Sequence, residues 1–184
     1  MRVASPVLHN PAVIEAFAKV PREHYLGNGP WRIHSRLQIG AVHTSPSAAL
    51  HEICHDVLVS LDEKRGLHSG LPLLWALVFD HVNIAPGQTV LQVGAGVGYF
   101  TAILAELTGS QGRVIAYEID EELAGARKAI LPITPMSKWY PVMQRRQLIC
   151  QTSMSWRLCR SDARAGTVAF EFVRRWQDGT AVHG

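Results

Sequence analysis

Val90-Leu91-Gln92-Val93-Gly94-Ala95-Gly96-Val97-Gly98-Tyr99-Phe100, followed by Val114-Ile115-Ala116-Tyr117-Glu118-Ile119-Asp120, decides the fold. Residues 89–93 are a short apolar run of buried-strand type. Gly94, Gly96 and Gly98 then let the backbone turn tightly and approach a ligand closely. Residues 99–107 are helix formers, so the turn opens onto a helix N-terminus, where free N–H groups favour negative charge. A second apolar run begins at Val114 and ends in an acid, Glu118. That acid lies about twenty residues past the last glycine, where a carboxylate can hydrogen-bond ribose hydroxyls. The pattern predicts a strand–helix–strand–helix unit with parallel strands over residues 89–129, and half of a nucleotide-binding site.

The glycine spacing narrows the ligand. It runs G-x-G-x-G, whereas the dinucleotide fingerprint is G-x-G-x-x-G and position 99 here is Tyr. G-x-G-x-G with a later acid resembles the first motif of class I S-adenosylmethionine-dependent methyltransferases. The resemblance implies an α/β, Rossmann-like fold with S-adenosylmethionine as cofactor. It places Gly94, Ala95, Gly96 and Gly98 on the methionine side, Glu118 on the ribose, and Ile119 beside it in the cofactor site. The alternatives from the residues alone are a tight strand–helix turn without a ligand, or a dinucleotide site.

The 184 residues suit one domain with a proper core. A hydrophobic fraction of 47% and a charged fraction of 18% are ordinary for a soluble globular chain. The formal charge of +3 is mildly basic, and much of the excess follows residue 144, which is weak ground for nucleic-acid binding. Cys54, Cys150 and Cys159 have no C-x-x-C spacing and read as reduced thiols of a cytoplasmic protein. The N-terminus has no apolar core of signal-peptide type, and the apolar stretch 71–79 is too short to cross a membrane.

Along the chain, Asn10-Pro11-Ala12-Val13-Ile14-Glu15-Ala16-Phe17 predicts a helix with Asn at its cap and Pro in its first turn. Residues 27–47 read as loop with short extended pieces, and residues 57–61 as a strand. Residues 71–81 suit a helix begun at Ser69 or Pro72, and residues 121–129 a helix of good formers. With Val20-Pro21-Arg22-Glu23-His24-Tyr25 at the front and Ile84-Ala85-Pro86-Gly87-Gln88-Thr89-Val90-Leu91 leading into the glycine turn, this order resembles the protein-L-isoaspartate O-methyltransferase family. The likeness covers roughly residues 7–129. It implies methylation of the carboxyl group of L-isoaspartyl residues in damaged proteins or peptides, with neither nucleic acid nor membrane as partner. Further readings are a methyltransferase with another acceptor and a truncated, inactive relative.

One departure bears on the acceptor. The family carries a T-I-S-Q-P-like loop before its first core helix, with hydroxyls near the methyl-accepting carboxylate. Aligned on Pro72, this chain has His68-Ser69-Gly70-Leu71-Pro72, so those positions fall on His68 and Gly70. His68 and Ser69 are the candidate catalytic residues, and Ser69 reads equally as a helix cap.

His51-Glu52-Ile53-Cys54-His55 satisfies H-E-x-x-H, which on a helix puts two His on one face for zinc with Glu52 as general base. No later residue supplies a third ligand, and a zinc metallopeptidase is the remote alternative. Surface or loop histidines are the default, and no metal is expected.

After Ala129 the alternating pattern stops. The chain divides into an N-terminal helical and loop region (1–83), a cofactor-binding core (84–129) and an irregular tail (130–184), with the sheet expected to be incomplete after its second core strand. The break reads either as a real but irregular C-terminal extension or, more sharply, as a shifted reading frame. Met136 and Trp139 have a single codon each, which forces part of the shifted reading. From one base upstream, synonymous codons for residues 130–155 give NLADYPNVEVVPGDAATATDLPDVDV, the strand and G-D acid that the family resemblance implies here. From Trp156 the other shifted frame gives GVYAGATHAPAPWLSS, which resembles the family's later strand and loop. A tail out of frame would leave strand edges exposed and the core short of packing.

Overall fold

Asn10 and Pro11 begin the first helix by the chemistry their side chains dictate. In the computed structural model, which describes residues 8–35, 37–38, 40–130, 137–141, 159–161 and 167–171, helix α1 spans Pro11–Lys19. The Asn10 side chain accepts from the Ala12 N–H at 3.0 Å, and proline occupies a position whose N–H would be unpaired anyway. Val13, Ala16 and Phe17 are buried at the i, i+3, i+4 spacing of one helix face. A short 3-10 helix, Arg22–Tyr25, follows.

Strands β1 (Arg32–His34) and β2 (Val42–Thr44) pair antiparallel, within the region read as loop with extended pieces. Leu50–Glu52 is a second 3-10 turn. Strands β3 (Ser60–Asp62) and β4 (Leu67–His68) form a hairpin, so the strand read at residues 57–61 starts later than its apolar run. Val59 instead bridges to Ile33. It packs with Trp31, Ile33, Ile53 and Val57 in a small apolar cluster of its own.

Helix α2 is Pro72–Val82, and its N-cap residue is Leu71, without a side-chain cap from that position. Ser69 therefore does not cap it. Asp56 does the work from 17 residues away, accepting the Leu73 N–H at 2.8 Å. At its far end, Asp80 Oδ1 accepts the backbone N–H groups of His9 and Asn10 at 2.9 and 2.6 Å, which fastens the start of α1.

The predicted core unit follows: β5 (Thr89–Val93), α3 (Tyr99–Thr108), β6 (Arg113–Glu118) and α4 (Glu121–Ile130). Strands β5 and β6 are adjacent and parallel, with Val90 opposite Val114 and Val93 opposite Tyr117. Val90 and Gln92 on β5, and Val114 and Ala116 on β6, alternate into the buried side. Phe17, Trp75, Phe79, Tyr99 and Phe100 make an aromatic cluster between the helices, with Trp75 and Phe100 stacked at 5.0 Å between ring centroids. Each such side chain, fully buried, contributes about 1.5–3 kcal/mol.

The sheet runs on past β6, further than the sequence pattern alone predicts. Strands β7 (Ser137–Pro141), β8 (Cys159–Ser161) and β9 (Thr167–Glu171) extend it to five strands in the order β7-β6-β5-β9-β8. β7 and β9 are parallel to the core strands, and β8 is antiparallel to β9. Ladder pairing is made by backbone N–H and C=O groups, so it asks for no side-chain period. Pro141 ends an edge strand, the place where a missing N–H is tolerated. The remainder of the expected irregular tail, Cys150 included, lies outside the described residues. Among the described residues, no helix is long and apolar enough to cross a membrane.

Candidate cofactor and acceptor site

The glycine turn is stitched to the strand beside it. After β5, the N–H groups of Gly94 and Ala95 both donate to the Tyr117 carbonyl, at 2.9 and 3.0 Å. The next turn residue, Gly96, donates its N–H to Glu118 Oε2 at 2.6 Å. The other carboxylate oxygen, Oε1, accepts the Asp120 N–H at 2.9 Å. Glu118 thus stands at the end of β6 with its carboxylate in the mouth of the turn. Two backbone amides hold it, and a carboxylate has about four acceptor sites, so capacity for further donors remains.

Gly96 has φ +57°, and a Cβ built there would meet nothing within 4 Å. The turn therefore excludes a side chain by backbone conformation while keeping open space beside it. Gly98, at φ 89°, is the N-cap residue of α3, and no side chain caps that helix. Beneath the turn, Gln92 is 1% exposed and its Oε1 accepts the Thr101 hydroxyl at 2.7 Å. This bond ties the first turn of α3 to β5 and so sets where the helix begins relative to the strand. Next to Glu118, Ile119 is 66% exposed, an apolar surface beside a polar one.

The far side of that first turn of α3 is organised by a residue whose role the sequence does not reveal. Arg22, in the Val20-Pro21-Arg22 element, is 2% exposed. Its Nη1 donates to the carbonyls of Ile53 and His55 at 3.2 and 3.3 Å. Its Nη2 donates to the Val57 carbonyl at 2.7 Å and to Ser69 Oγ at 3.0 Å. The guanidinium also lies over the Tyr99 ring, 5.9 Å from its centroid. Burial pushes the Arg22 guanidinium down to about 10, with the neighbouring Tyr99, Asp56 and Cys54 pulling the other way.

Ser69 is a spoke of that hub. Its hydroxyl oxygen accepts from Arg22 and from the Val59 N–H at 3.1 Å, and it donates to the Gly70 carbonyl at 3.1 Å. His68 accepts the Gly70 N–H at Nδ1, 3.3 Å away, and its ring meets His34 edge-on at 6.1 Å. The loop rests on α3, because a Cβ at Gly70 would come within 2.8 Å of Phe100 Cε2. The His68–Gly70 loop and the glycine turn thus flank the same first turn of α3.

Tyr99, the first residue of that helix, has its hydroxyl buried without a hydrogen-bond partner. Burial pushes it up to about 12, partly offset by Arg22. Its folded value lies above the ordinary 10.0, so the folded state keeps a proton that the unfolded chain releases first. Tyr99's contribution to stability is full below pH 10 and is lost as pH rises towards 12. Burial raises Tyr25 as well, so a tyrosinate absorbance titration of the 4 tyrosines should contain a late phase that Tyr99→Phe diminishes. A late phase undiminished in Tyr99→Phe would assign it to other tyrosines.

The metal-binding alternative lacks its helix. Leu50–Glu52 is a 3-10 turn that ends before His55. Glu52 accepts from the Ser47 hydroxyl at 3.0 Å, and the His55 Nδ1 lies 3.0 Å from the His51 carbonyl. Among the described residues, no group of three or more His, Cys, Asp or Glu is placed to hold a metal ion.

Residues 65–134 match the family model described as Protein-L-isoaspartate(D-aspartate) O-methyltransferase. Similar proteins include Protein-L-isoaspartate O-methyltransferase 2 of Archaeoglobus fulgidus, 40% identical over 33% of this chain and 27% of that protein. The Protein-L-isoaspartate O-methyltransferase of Protochlamydia amoebophila is 29% identical over 68% of this chain and 50% of the relative. That of Thermotoga maritima is 28% identical over 63% of this chain and 32% of the relative. This chain therefore spans from 27% to 50% of the lengths of these relatives. A solved protein-L-isoaspartate O-methyltransferase overlays with a TM-score of 0.54 at 22% identity, covering 72% of this chain and 37% of that one. The architecture is thus the Rossmann-like methyltransferase fold, and residues 65–134 carry a divergent, partial match to the family.

Proposed function

We propose that this chain is built around the S-adenosylmethionine site of a methyltransferase that esterifies the carboxyl group of L-isoaspartyl residues in damaged proteins. The observation that carries the reading is the contact between Glu118, at the end of β6, and the Gly96 N–H in the turn after the adjacent parallel strand. The cofactor, when bound, supplies an electrophilic methyl group on a sulfonium. Gly94, Ala95, Gly96 and Gly98 would shape the methionine side, Glu118 would accept ribose hydroxyls, and exposed Ile119 would offer its apolar face to the base. The open space at Gly96 and the spare acceptor capacity of Glu118 fit that group.

The chemistry asks little of the protein beyond position. A carboxylate oxygen of the acceptor forms a bond to the methyl carbon as the carbon–sulfur bond breaks, giving a methyl ester and S-adenosylhomocysteine. The attacking group is already ionised, so no general base is needed. The residues around His68 would orient the acceptor and exclude water. Ser69, committed to three hydrogen bonds, would position that loop. A second acceptor class is favoured by one observation: His68 and Gly70 stand where the family carries hydroxyls.

Methyl transfer to an isoaspartyl peptide, its aspartyl counterpart and small carboxylic acids tests the reading. Ester formation on the isoaspartyl peptide alone is expected. Ester formation only on small acids would move the chain to the second class, and no transfer from a cofactor-bound chain would point to an inactive relative.

The tail belongs to the same proposal. In the reading from one base upstream, suitable synonymous codons at the positions of β7, Ser137–Pro141, can give V-E-V-V-P, a strand sequence, with a G-D pair following. The nucleotide sequence around the Ala129 codon is expected to contain these strings in its shifted frames. Their absence from both frames would make residues 130–184 a genuine extension.

A further inference from the structure

Arg65 sits in the turn of the β3–β4 hairpin, far in sequence from the glycine turn, yet a continuous chain of polar contacts joins them. Its own N–H donates to Asp62 Oδ1 at 3.1 Å, which fixes the turn. Its guanidinium pairs with Asp120 through Nη2 and reaches Glu122 Oε2 at 3.0 Å through Nη1. The side chain of Asp120 is 10% exposed and that of Glu122 is 87% exposed, so Asp120 is the better-shielded partner. Asp120 is engaged on all sides. Its Oδ1 accepts the Leu123 N–H at 3.0 Å, capping α4, and its own N–H donates to Glu118 Oε1. Glu118 Oε2 then accepts the Gly96 N–H. The path is Arg65, Asp120, Glu118, Gly96, with no gap.

We infer that Arg65 is a positioning residue for the cofactor site, holding Glu118 through Asp120, and that the β3–β4 hairpin is a strap between cofactor and acceptor loops. This rests on the S-adenosylmethionine reading above. The hairpin's second strand, Leu67–His68, leads directly into the His68–Gly70 loop. One short hairpin therefore reaches Asp120, whose N–H holds the ribose-side acid, at its turn and the acceptor loop at its base. A planar guanidinium suits this place because its fork can serve two carboxylates at once, which an ammonium does less well.

The test uses the full chain with Arg65→Ala and Arg65→Lys, in two arms. Calorimetric titration with S-adenosylhomocysteine should show affinity falling roughly fivefold in Arg65→Ala, as expected for a partly exposed ion pair. Arg65→Lys should recover part of the loss, and raised salt should shrink the difference. Amide exchange without ligand should speed up at Gly96 and Asp120 in Arg65→Ala while the buried amides of α3 stay as they were. Unchanged exchange at Gly96 and Asp120 in folded Arg65→Ala would overturn the positioning role. Absence of binding by the unaltered chain would remove the cofactor reading instead, and the exchange arm would still decide the role of Arg65.

Discussion

Arg22→Ala is expected to destabilise the fold by about 3–5 kcal/mol, because several buried acceptors lose their donor at once. The cost has identifiable parts. The carbonyls of Ile53 and Val57 lose their buried donor, His55 loses a partly buried one, and Ser69 Oγ loses its contact. Each buried group left unpaired costs about 1–3 kcal/mol. The ring of Tyr99 also loses the guanidinium over its face. Arg22→Met keeps much of the stem's packing but none of the donors, and should recover only a minor part. Urea unfolding measures both, as a lowered midpoint at unchanged slope. A loss under about 1 kcal/mol in Arg22→Ala would mean that water replaces the guanidinium and that the hub is dispensable.

Glu118→Ala is expected to weaken S-adenosylhomocysteine binding about tenfold to a hundredfold. Charge-assisted hydrogen bonds from ribose hydroxyls to a carboxylate are worth about 1.5–3 kcal/mol. The same change frees the Gly96 and Asp120 N–H groups, so the turn loses its clasp as well as its ligand contact. Glu118→Gln retains one acceptor oxygen and should fall between the two. Calorimetric titration of folded variants measures this, and an unchanged affinity would place the ribose elsewhere.

What was legible in the sequence was local. The glycine turn, its flanking strands and the acid at position 118 announce themselves because strand, turn and helix preferences act within a few residues. Asn10 and Pro11 mark α1 for the same reason. What was not legible acts across the chain through side chain to backbone bonds. Arg22 meets carbonyls 31 to 35 residues away, and a carbonyl is present at every residue, so no motif betrays the pairing. Asp56 caps α2 from outside the usual cap position, which left Ser69 looking like the cap. Gln92 reads as a polar interruption of a strand, yet Thr101 satisfies it in the core. His51 and His55 satisfy a spacing rule whose meaning depends on a helix that the 3-10 turn does not supply. Strands β7 and β9 join the sheet by ladder bonds that leave no trace in hydrophobic period.

The proposed S-adenosylmethionine site rests on the turn at Gly94–Gly98 together with Glu118. Calorimetric titration of the unaltered chain with S-adenosylhomocysteine, with backbone amide shifts followed in parallel, tests it most directly. Saturable binding at a single site is expected, with the largest shifts at Gly96, Gly98, Glu118 and Ile119. A folded chain that gives no saturable heat, or one whose shifts cluster away from these residues, would contradict it.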